Sequence, residues 1–477
     1  MTKKVLLCSF ISLVLLSSAY AQEDFEADLG GFETEEVSQN DDLDGFDSLE
    51  SSSETQEVVA QDESPISVSG AVAFKTSFGY KKHILDGVDY SGFNQAQSSL
   101  YLQIDTKMSE KWKVRISGDA FYDAIYDLRD QPYNNDVLDT YKTQLRLDDT
   151  YVQGQLSKYL DLKVGRQVVV WGKSDSIRVT DVINPLDNRN PGMTDIEDLR
   201  LPTTMAKLDY YLGEWNFSAM LIGESRIFLE AAPRGEFFPV DKVFPGAPRP
   251  FFDLVQPSTS WDNLQYAFAA NGVFSGWDLS FYAADVLDSK WHLEGSTPQS
   301  AKRVVSKIKM LGSALNVASG SWLFKGEVAF VSGVRYNSTA DEKSRFDTLL
   351  GFDYMGISDT LLSAEFVNRH IFDYEEQMGI TTPTVGFKPD YVDKNEYQTA
   401  LRATRSFMND TLNVTALLSM FGATWEYGGF ARVWVEYKVM DAVSANVGFV
   451  DYLDGDKPFA GAISDNDRIF ADISYSF

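Results

Sequence analysis

The sequence predicts a single transmembrane antiparallel β-barrel of about 18 strands, of the outer-membrane type. Three observations predict it. Beyond the N-terminal segment, no stretch approaches the roughly 18 consecutive apolar residues of a helical span, yet aromatic residues make up 13% of a chain with mean hydropathy −0.22. Segments of period-two alternation recur along the chain. In lipid only helices and closed barrels satisfy every backbone N–H and C=O, so alternation without a helical span points to a barrel. Third, short connections alternate with long ones, a sorting that a soluble sandwich has no reason to show.

The first element is a leader. Lys3 and Lys4 precede an apolar run from Val5 to Leu16, and Ala19-Tyr20-Ala21 has the form of a signal-peptidase site. A signal peptide is expected over 1–21, the run being too short to span a bilayer. Cys8 is the only cysteine and lies inside that leader, so disulfides, thiol nucleophiles and thiolate metal sites are excluded from the rest.

Residues 22–64 carry 16 Asp or Glu and no Lys or Arg, a large part of the net charge of −28. Self-repulsion and a lack of core-forming residues predict a disordered, periplasmic acidic segment. Phe25, Phe32 and Phe46 sit in short acidic echoes and are candidate anchors for a partner, the plain alternative being a solvated tail. Asn40 to Ser51 brushes the calcium-loop pattern but has Asn first and Ser where the bidentate Glu belongs.

The barrel is expected over 65–477. Ile66, Val68, Val72, Phe74 and Phe78 share one face, with Ser67, Ser69, Lys75 and Ser77 opposite. Further strands are read near 95–107, 111–123, 141–156, 160–171, 203–212 and 214–223. The second half gives 264–273, 276–286, 303–317, 321–334, 346–357, 360–372, 396–408, 411–423, 426–439, 443–452 and 467–477. Dropping the weak pair at 203–223 would give sixteen. Tight turns such as Gly213-Glu214 and Gly320-Ser321 join even strands to odd ones, while connections such as 172–202 and 224–263 are long. Short periplasmic turns with long outer loops are the outer-membrane pattern. The last strand places Ile469, Ile473, Tyr475 and Phe477 on one face. That ending resembles the C-terminal signal read by the barrel assembly machinery, with Tyr475 and Phe477 as its aromatic members.

If the apolar face meets lipid, the opposite face lines the lumen. Lys113, Arg115, Ser117 and Asp119 point inward, as do Lys325 and Glu327. So do Asp353, Glu365, Arg402, Arg432, Glu436 and Lys438. Lipid-facing charges cost roughly 2–4 kcal/mol at midplane, which forces this assignment. The plain alternative for each charge is a salt-bridged wall. Two long loops are candidates for a plug or constriction. Residues 172–202 hold Lys173, Asp175, Arg178, Asp181 and Asp187 among turn formers. Residues 224–263 hold six prolines among Phe228, Phe237, Phe238, Phe244, Phe251 and Phe252. Prolines exclude regular ladders there, and so many aromatics call for cover. The loop is expected to pack on the barrel mouth and offer Phe237, Phe238, Phe244, Phe251 and Phe252 to an apolar solute, or else to pack only on itself or on lipopolysaccharide.

The run Gly165-Arg166-Gln167-Val168-Val169-Val170-Trp171-Gly172-Lys173 with Ile183-Asn184-Pro185-Leu186-Asp187 resembles an uncharacterised porin-like family of Gram-negative outer-membrane proteins. Members carry a similar G-R-Q…W-G strand end and I-N-P-x-D loop. The resemblance implies neighbours of two kinds, an RND-type exporter of lipids or hydrophobes and a periplasmic carrier lipoprotein. It thereby implies movement of hydrophobic molecules across the envelope. Alginate-export and phosphate-selective porins share the general look. Simple alternation puts Arg166 outward with Val164, so a bulge at Gly165 is expected to turn it into the lumen.

Catalytic chemistry leaves little trace. His83, His292 and His370 lack metal-ligand spacing, and no H-E-x-x-H, G-x-S-x-G or P-loop occurs. His370 beside Arg369 and Asp373 is the one site worth inspecting for a hydrolase. Asp451, Asp454, Asp456, Asp465 and Asp467 read as a solvated acidic loop. The acidity argues against nucleic acid. The reading is therefore a non-enzymatic outer-membrane channel without metal or cofactor, surrounded by lipid and lipopolysaccharide, passing a hydrophobic or amphipathic solute. A general or anion/sugar-selective porin is the alternative, and a structural or adhesive barrel with a plugged lumen is a second.

Overall fold

Alternating side chains close into a barrel when each strand finds two neighbours. The computed structural model describes residues 66–295, 301–337, 339, 341–376, 378 and 392–477. The expected signal peptide, the acidic segment and its Phe25, Phe32 and Phe46 lie outside the described residues. Among the described residues, 18 strands form one closed antiparallel sheet. They are β1 Ile66–Gly79, β2 Gly92–Ser109, β3 Trp112–Asp123, β4 Thr143–Ser157, β5 Leu160–Gln167 and β6 Thr203–Leu212. Next come β7 Trp215–Ile222, β8 Gln265–Phe274, β9 Trp277–Leu287, β10 Lys307–Ser319, β11 Trp322–Val334 and β12 Lys343–Ile357. The last are β13 Thr360–Ile371, β14 Asn395–Phe407, β15 Leu412–Phe421, β16 Gly429–Met440, β17 Val443–Leu453 and β18 Arg468–Ser476. The first strand pairs with the last from Ala71↔Ser476 to Gly79↔Arg468, so no sheet edge is left open to lipid.

The short connections are true hairpins. Leu212 pairs with Trp215 across Gly213-Glu214, and Ser319 with Trp322 across Gly320-Ser321. Gly213 and Gly320 hold φ of 60° and 59°, which suits a tight turn between twisted strands. An aromatic belt marks this end of the barrel: Phe274 stacks on Trp277 at 4.3 Å, and Trp322 meets Tyr354 at 4.4 Å. The opposite end carries the long loops.

Two strand boundaries differ from the sequence reading for physical reasons. The strand expected over 160–171 ends at Gln167, because the Val169 N–H donates to Asn184 Oδ1 at 2.8 Å instead of to a neighbouring strand. The strand expected from 303 begins at Lys307. Lys302–Val304 leaves the barrel and pairs with Leu254–Val255 and His292–Glu294 in a small sheet at the mouth.

Candidate functional site

The loop from Val168 to Pro202 turns inward rather than over the surface. Its apolar residues need a surface, and the inner wall of β6–β14 offers one. Trp171, Ile177, Val179 and Ile183 are buried with Met205, Met220, Ala267, Met310, Ala329, Leu349 and Val367 in one cluster. Trp171 stacks on Tyr282 at 4.7 Å. These wall residues alternate with lipid-facing Phe268, Phe281, Phe330 and Phe366, so the wall is apolar on both faces at the level of this cluster.

Polar groups then fix the loop at mid-height. Glu327 on β11 is 2% exposed and accepts the backbone N–H groups of Lys173 (2.6 Å), Ser174 (2.9 Å) and Thr180 (3.1 Å). The Thr180 hydroxyl adds a fourth bond at 2.7 Å. Glu365 on β13 accepts those of Asp175 (2.7 Å), Ser176 (3.1 Å) and Ile177 (3.1 Å), with the Ser174 hydroxyl at 2.8 Å. Lys325 binds Asp175 of the loop and Asp353 of the wall, the latter at 2.7 Å. Lys173 Nζ reaches Asp278 at 2.5 Å. Buried carboxylates are thus satisfied by loop amides, as burial of a charge demands.

Within the loop, Asp181 is buried between Arg178 (3.1 Å) and Arg200 (2.8 Å). Asn184 ties the loop's two legs, donating to the carbonyls of Gln167 (3.2 Å) and Leu201 (2.9 Å). On the far side of the lumen Asp187 meets Arg189 (2.5 Å) and Arg146 of β4 (3.6 Å). Asp195 meets Arg402 of β14 (3.1 Å) and Arg432 of β16 (3.0 Å). The loop therefore crosses the barrel from wall to wall.

The expected lumen residues fall into three groups. Lys173, Asp175, Arg178, Asp181 and Asp187 belong to the crossing loop, and Arg402 and Arg432 hold its far end. Arg115 and Asp119 face inward but pair with Asp105 and Arg146, both at 2.8 Å, while Lys113 and Glu436 face inward nearer the short turns. Arg166 requires a correction. The β4–β5 register runs through Gly165 without a shift, pairing Thr150 with Arg166 and Val152 with Val164. Arg166 therefore stays on the outer face, where it binds Glu224 at 2.5 Å. The strand ladder is already complete at Gly165, so no extra residue remains to form the expected bulge.

The loop from Gly223 to Leu264 covers the mouth. Phe237, Phe238, Phe244 and Phe251 are buried with Val240, Val243, Val450, Tyr452, Ala462 and Ile463, and Phe252 packs against them. Two of these come from the helix Pro458–Ile463 in the last loop. Below it lies a cavity of about 360 Å³. Phe237, Phe238, Phe244, Trp291 and Phe459 give it apolar walls, and Asn188, Glu230 and Asn337 give it polar ones. Trp291 Nε1 donates to Glu230 at 3.0 Å, and Arg303 pairs with the same carboxylate. Phe251 and Phe252 support the cluster without lining the cavity. Nearby, burial pushes the imidazole of His83 below its ordinary value of 6.5; Lys242 and Arg468 add to this, and Glu236 and Asp465 oppose it.

The other candidates separate. His370 bonds Asn395 Oδ1 at 2.8 Å and packs edge-on to Phe372. Asp467 is engaged by Lys81 at 2.5 Å and by the Tyr452 N–H at 2.7 Å. Among the described residues no cluster of three or more His, Cys, Asp or Glu is placed to hold a metal ion. Tyr475 and Phe477 stack at 6.2 Å on the outer face, and Phe477 exchanges two 2.9 Å hydrogen bonds with Gly70 across the seam. Asp195, Glu230, Trp291 and Arg303 escaped the sequence reading, because nothing local distinguishes them from ordinary loop polarity. Glu327 and Glu365 were legible as inward but not as the loop's anchors.

The architecture is similar to solved porins. It aligns with OccAB3 of Acinetobacter baumannii at TM-score 0.51 and 11% identity, over 86% of this chain and 99% of that one. With OccAB1 of the same organism the values are 0.50, 13%, 86% and 96%. With OccK1 (OpdK) of Pseudomonas aeruginosa they are 0.48, 12%, 86% and 98%. At such identity the likeness shows the fold, a porin-type barrel of the bacterial outer membrane. No curated protein matches the chain. Residues 47–477 match one family model, and the chain belongs to that family, described as Protein of unknown function (DUF1302).

Proposed function

We propose that this porin-type channel passes an apolar or amphipathic solute by way of the mouth cavity. The observation that carries this is the cavity itself. Five aromatic side chains and three polar ones surround about 360 Å³ at the entrance, within the size range of small-molecule sites. The crossing loop narrows the route a hydrated solute would take. The test is flux of a neutral bicyclic solute into proteoliposomes. Ala231→Trp, which fills the cavity, should lower that flux several-fold and leave potassium chloride conductance unchanged. Equal flux in both proteins would defeat the proposal, and a large steady conductance in the intact protein would favour a diffusion porin.

Coupling to an inner-membrane RND-type exporter through a carrier lipoprotein is part of the same proposal. It would run through residues 22–64, with Phe25, Phe32 and Phe46 as contacts. Deleting 22–64 with no change in co-purifying envelope proteins would remove it.

A further inference from the structure

The strand β16 sends Phe430, Arg432 and Trp434 into the lumen in turn, roughly 6.6 Å apart along one face. Phe430 packs against the aromatic cluster of the mouth. Arg432 is 6% exposed, and its guanidinium stands 4.0 Å from the Trp434 ring and 5.4 Å from that of Phe470. Arg402 lies 5.7 Å from the same Trp434 ring. The two guanidiniums converge on a single carboxylate, Asp195 of the crossing loop, at 3.1 and 3.0 Å. Arg432 Nε is buried with no hydrogen-bond partner, so the pair has a donor left after Asp195 is bound.

We propose that Arg402 and Arg432, backed by Trp434, form a carboxylate site in the lumen for an amphipathic anion, and that Asp195 is its built-in occupant. This rests on the reading of the mouth cavity as the entrance for an apolar-bodied solute and names its head group.

Three features carry the step from ion pair to ligand site. The first is preorganisation. Stacking on Trp434 and Phe470 fixes Arg432 from the wall side, independently of the loop, so the site keeps its shape when Asp195 leaves. The second is charge. Lys75 and Arg432 lie on the wall near Asp472, with Arg402 beside Arg432, while Asp195 and Asp198 belong to the loop. With the loop in place three cations face three acids. With it withdrawn Asp195 and Asp198 leave, and the buried Arg432 is left without the carboxylate it faced, which calls for another anion. The third is continuity with the mouth. Pro191 lines the cavity, and its carbonyl accepts from Tyr452 Oη at 2.6 Å. Gly192 lies so close to Phe430 that an added Cβ would stand 3.0 Å from the ring. Asp195 follows three residues later. A solute with a ring in the mouth cavity therefore moves past Phe430 with its carboxylate leading to Arg432. Anion and Asp195 then compete for the same donors, and by linkage each weakens the other.

The test uses the full chain in planar bilayers, with 1-naphthoate and its neutral analogue 1-naphthamide added on the side of the long loops. Naphthoate should modulate the current of the wild type. Asp195→Asn should lower its half-effective concentration about tenfold by removing the competitor, with naphthamide unchanged. Arg402→Gln should raise it about tenfold, and Arg432→Gln should do the same. Heat-dependent migration on gels shows that each barrel is folded, and Arg402→Gln stands alone if Arg432→Gln is not. An unchanged naphthoate response in Asp195→Asn or in folded Arg402→Gln would overturn the inference. If naphthoate and naphthamide act equally in every variant, the inference fails while the apolar entrance stands. If neither acts, both fail.

Discussion

Replacing Glu327 by Gln should release one end of the crossing loop. The carboxylate accepts two amides on Oε1, from Lys173 and Ser174, and an amide and a hydroxyl on Oε2, both from Thr180. The least costly arrangement of the amide keeps its oxygen at the first pair and turns its NH₂ to Thr180. The Thr180 hydroxyl can rotate to accept, but its backbone N–H cannot. One buried donor is then unpaired, at about 1–3 kcal/mol, and two charge-assisted bonds become neutral at about 1 kcal/mol each. The sum is about 3–5 kcal/mol, or about 140- to 4,000-fold in the ratio of docked to released loop. The assay is current amplitude and noise of single channels, paired with trypsin added from the side of the long loops. Lys173, Arg178, Arg189 and Arg200 lie in the loop, so release should expose cleavage that the wild type resists. Glu436→Gln, an inward carboxylate without a bond to the loop, is the control. A folded Glu327→Gln barrel with wild-type current and wild-type trypsin resistance would refute the account of what holds the loop.

Other perturbations follow from the same contacts. Gly172 has φ of 89°, and an added Cβ would lie 2.7 Å from Glu327 Oε1; Gly172→Ala should act in the direction of Glu327→Gln but with about 1–2 kcal/mol from the backbone strain, and an unaltered current would contradict it. His83 is held below 6.5 chiefly by burial, so the packed mouth binds fewer protons than a loosened one. Its stability is full above 6.5 and is lost as pH falls from there through the lowered value. Loop-driven current noise should rise as pH falls below 6.5, and His83→Gln should abolish that rise; the same pH response in both proteins would sink the idea. Deleting Phe477 removes both hydrogen bonds to Gly70, about 1–3 kcal/mol of seam closure, together with one of the two terminal aromatics. The level of barrel in outer-membrane fractions should fall, and an unchanged level would deny Phe477 a role in assembly.

All 18 strands were legible because lipid imposes one rule on every outward residue and turn chemistry marks every short connection. The interior obeys no such local rule. Glu327 and Glu365 meet loop residues 154 and 190 positions away in sequence, and alternation reports that a glutamate faces inward without reporting what it holds. Trp171 looked like a strand end because Val168 to Val170 continue the apolar pattern, yet Asn184 captures the Val169 N–H and draws the chain into the lumen. Arg166 shows the opposite error. Alternation alone placed it outward, and the expectation of a basic lumen residue overrode a correct reading. The phenylalanines of the mouth loop announced a need for cover, but Tyr452, Ala462 and Ile463 that provide it come from the far end of the chain.

The two ends of the crossing loop are held by different sets of groups, and this bears on which end can let go. At β11 and β13 the buried carboxylates of Glu327 and Glu365 accept neutral N–H and O–H donors of the loop, and Lys325 pairs with Asp175 beside them. An anion entering the lumen is repelled by those carboxylates and cannot take their donors without leaving Glu327 and Glu365 buried and unpaired. At β14 and β16 the wall supplies guanidiniums and the loop supplies a carboxylate. There an entering carboxylate replaces Asp195 group for group, and Asp195 returns to water. The apolar packing of Trp171, Ile177 and Val179 adds to the first end and not to the second. On the proposal made above, a solute anion would displace the loop only around Asp195, while Glu327 and Glu365 hold one end and the contacts of Asp187 with Arg146 and of Pro191 with Tyr452 hold the stretch before it.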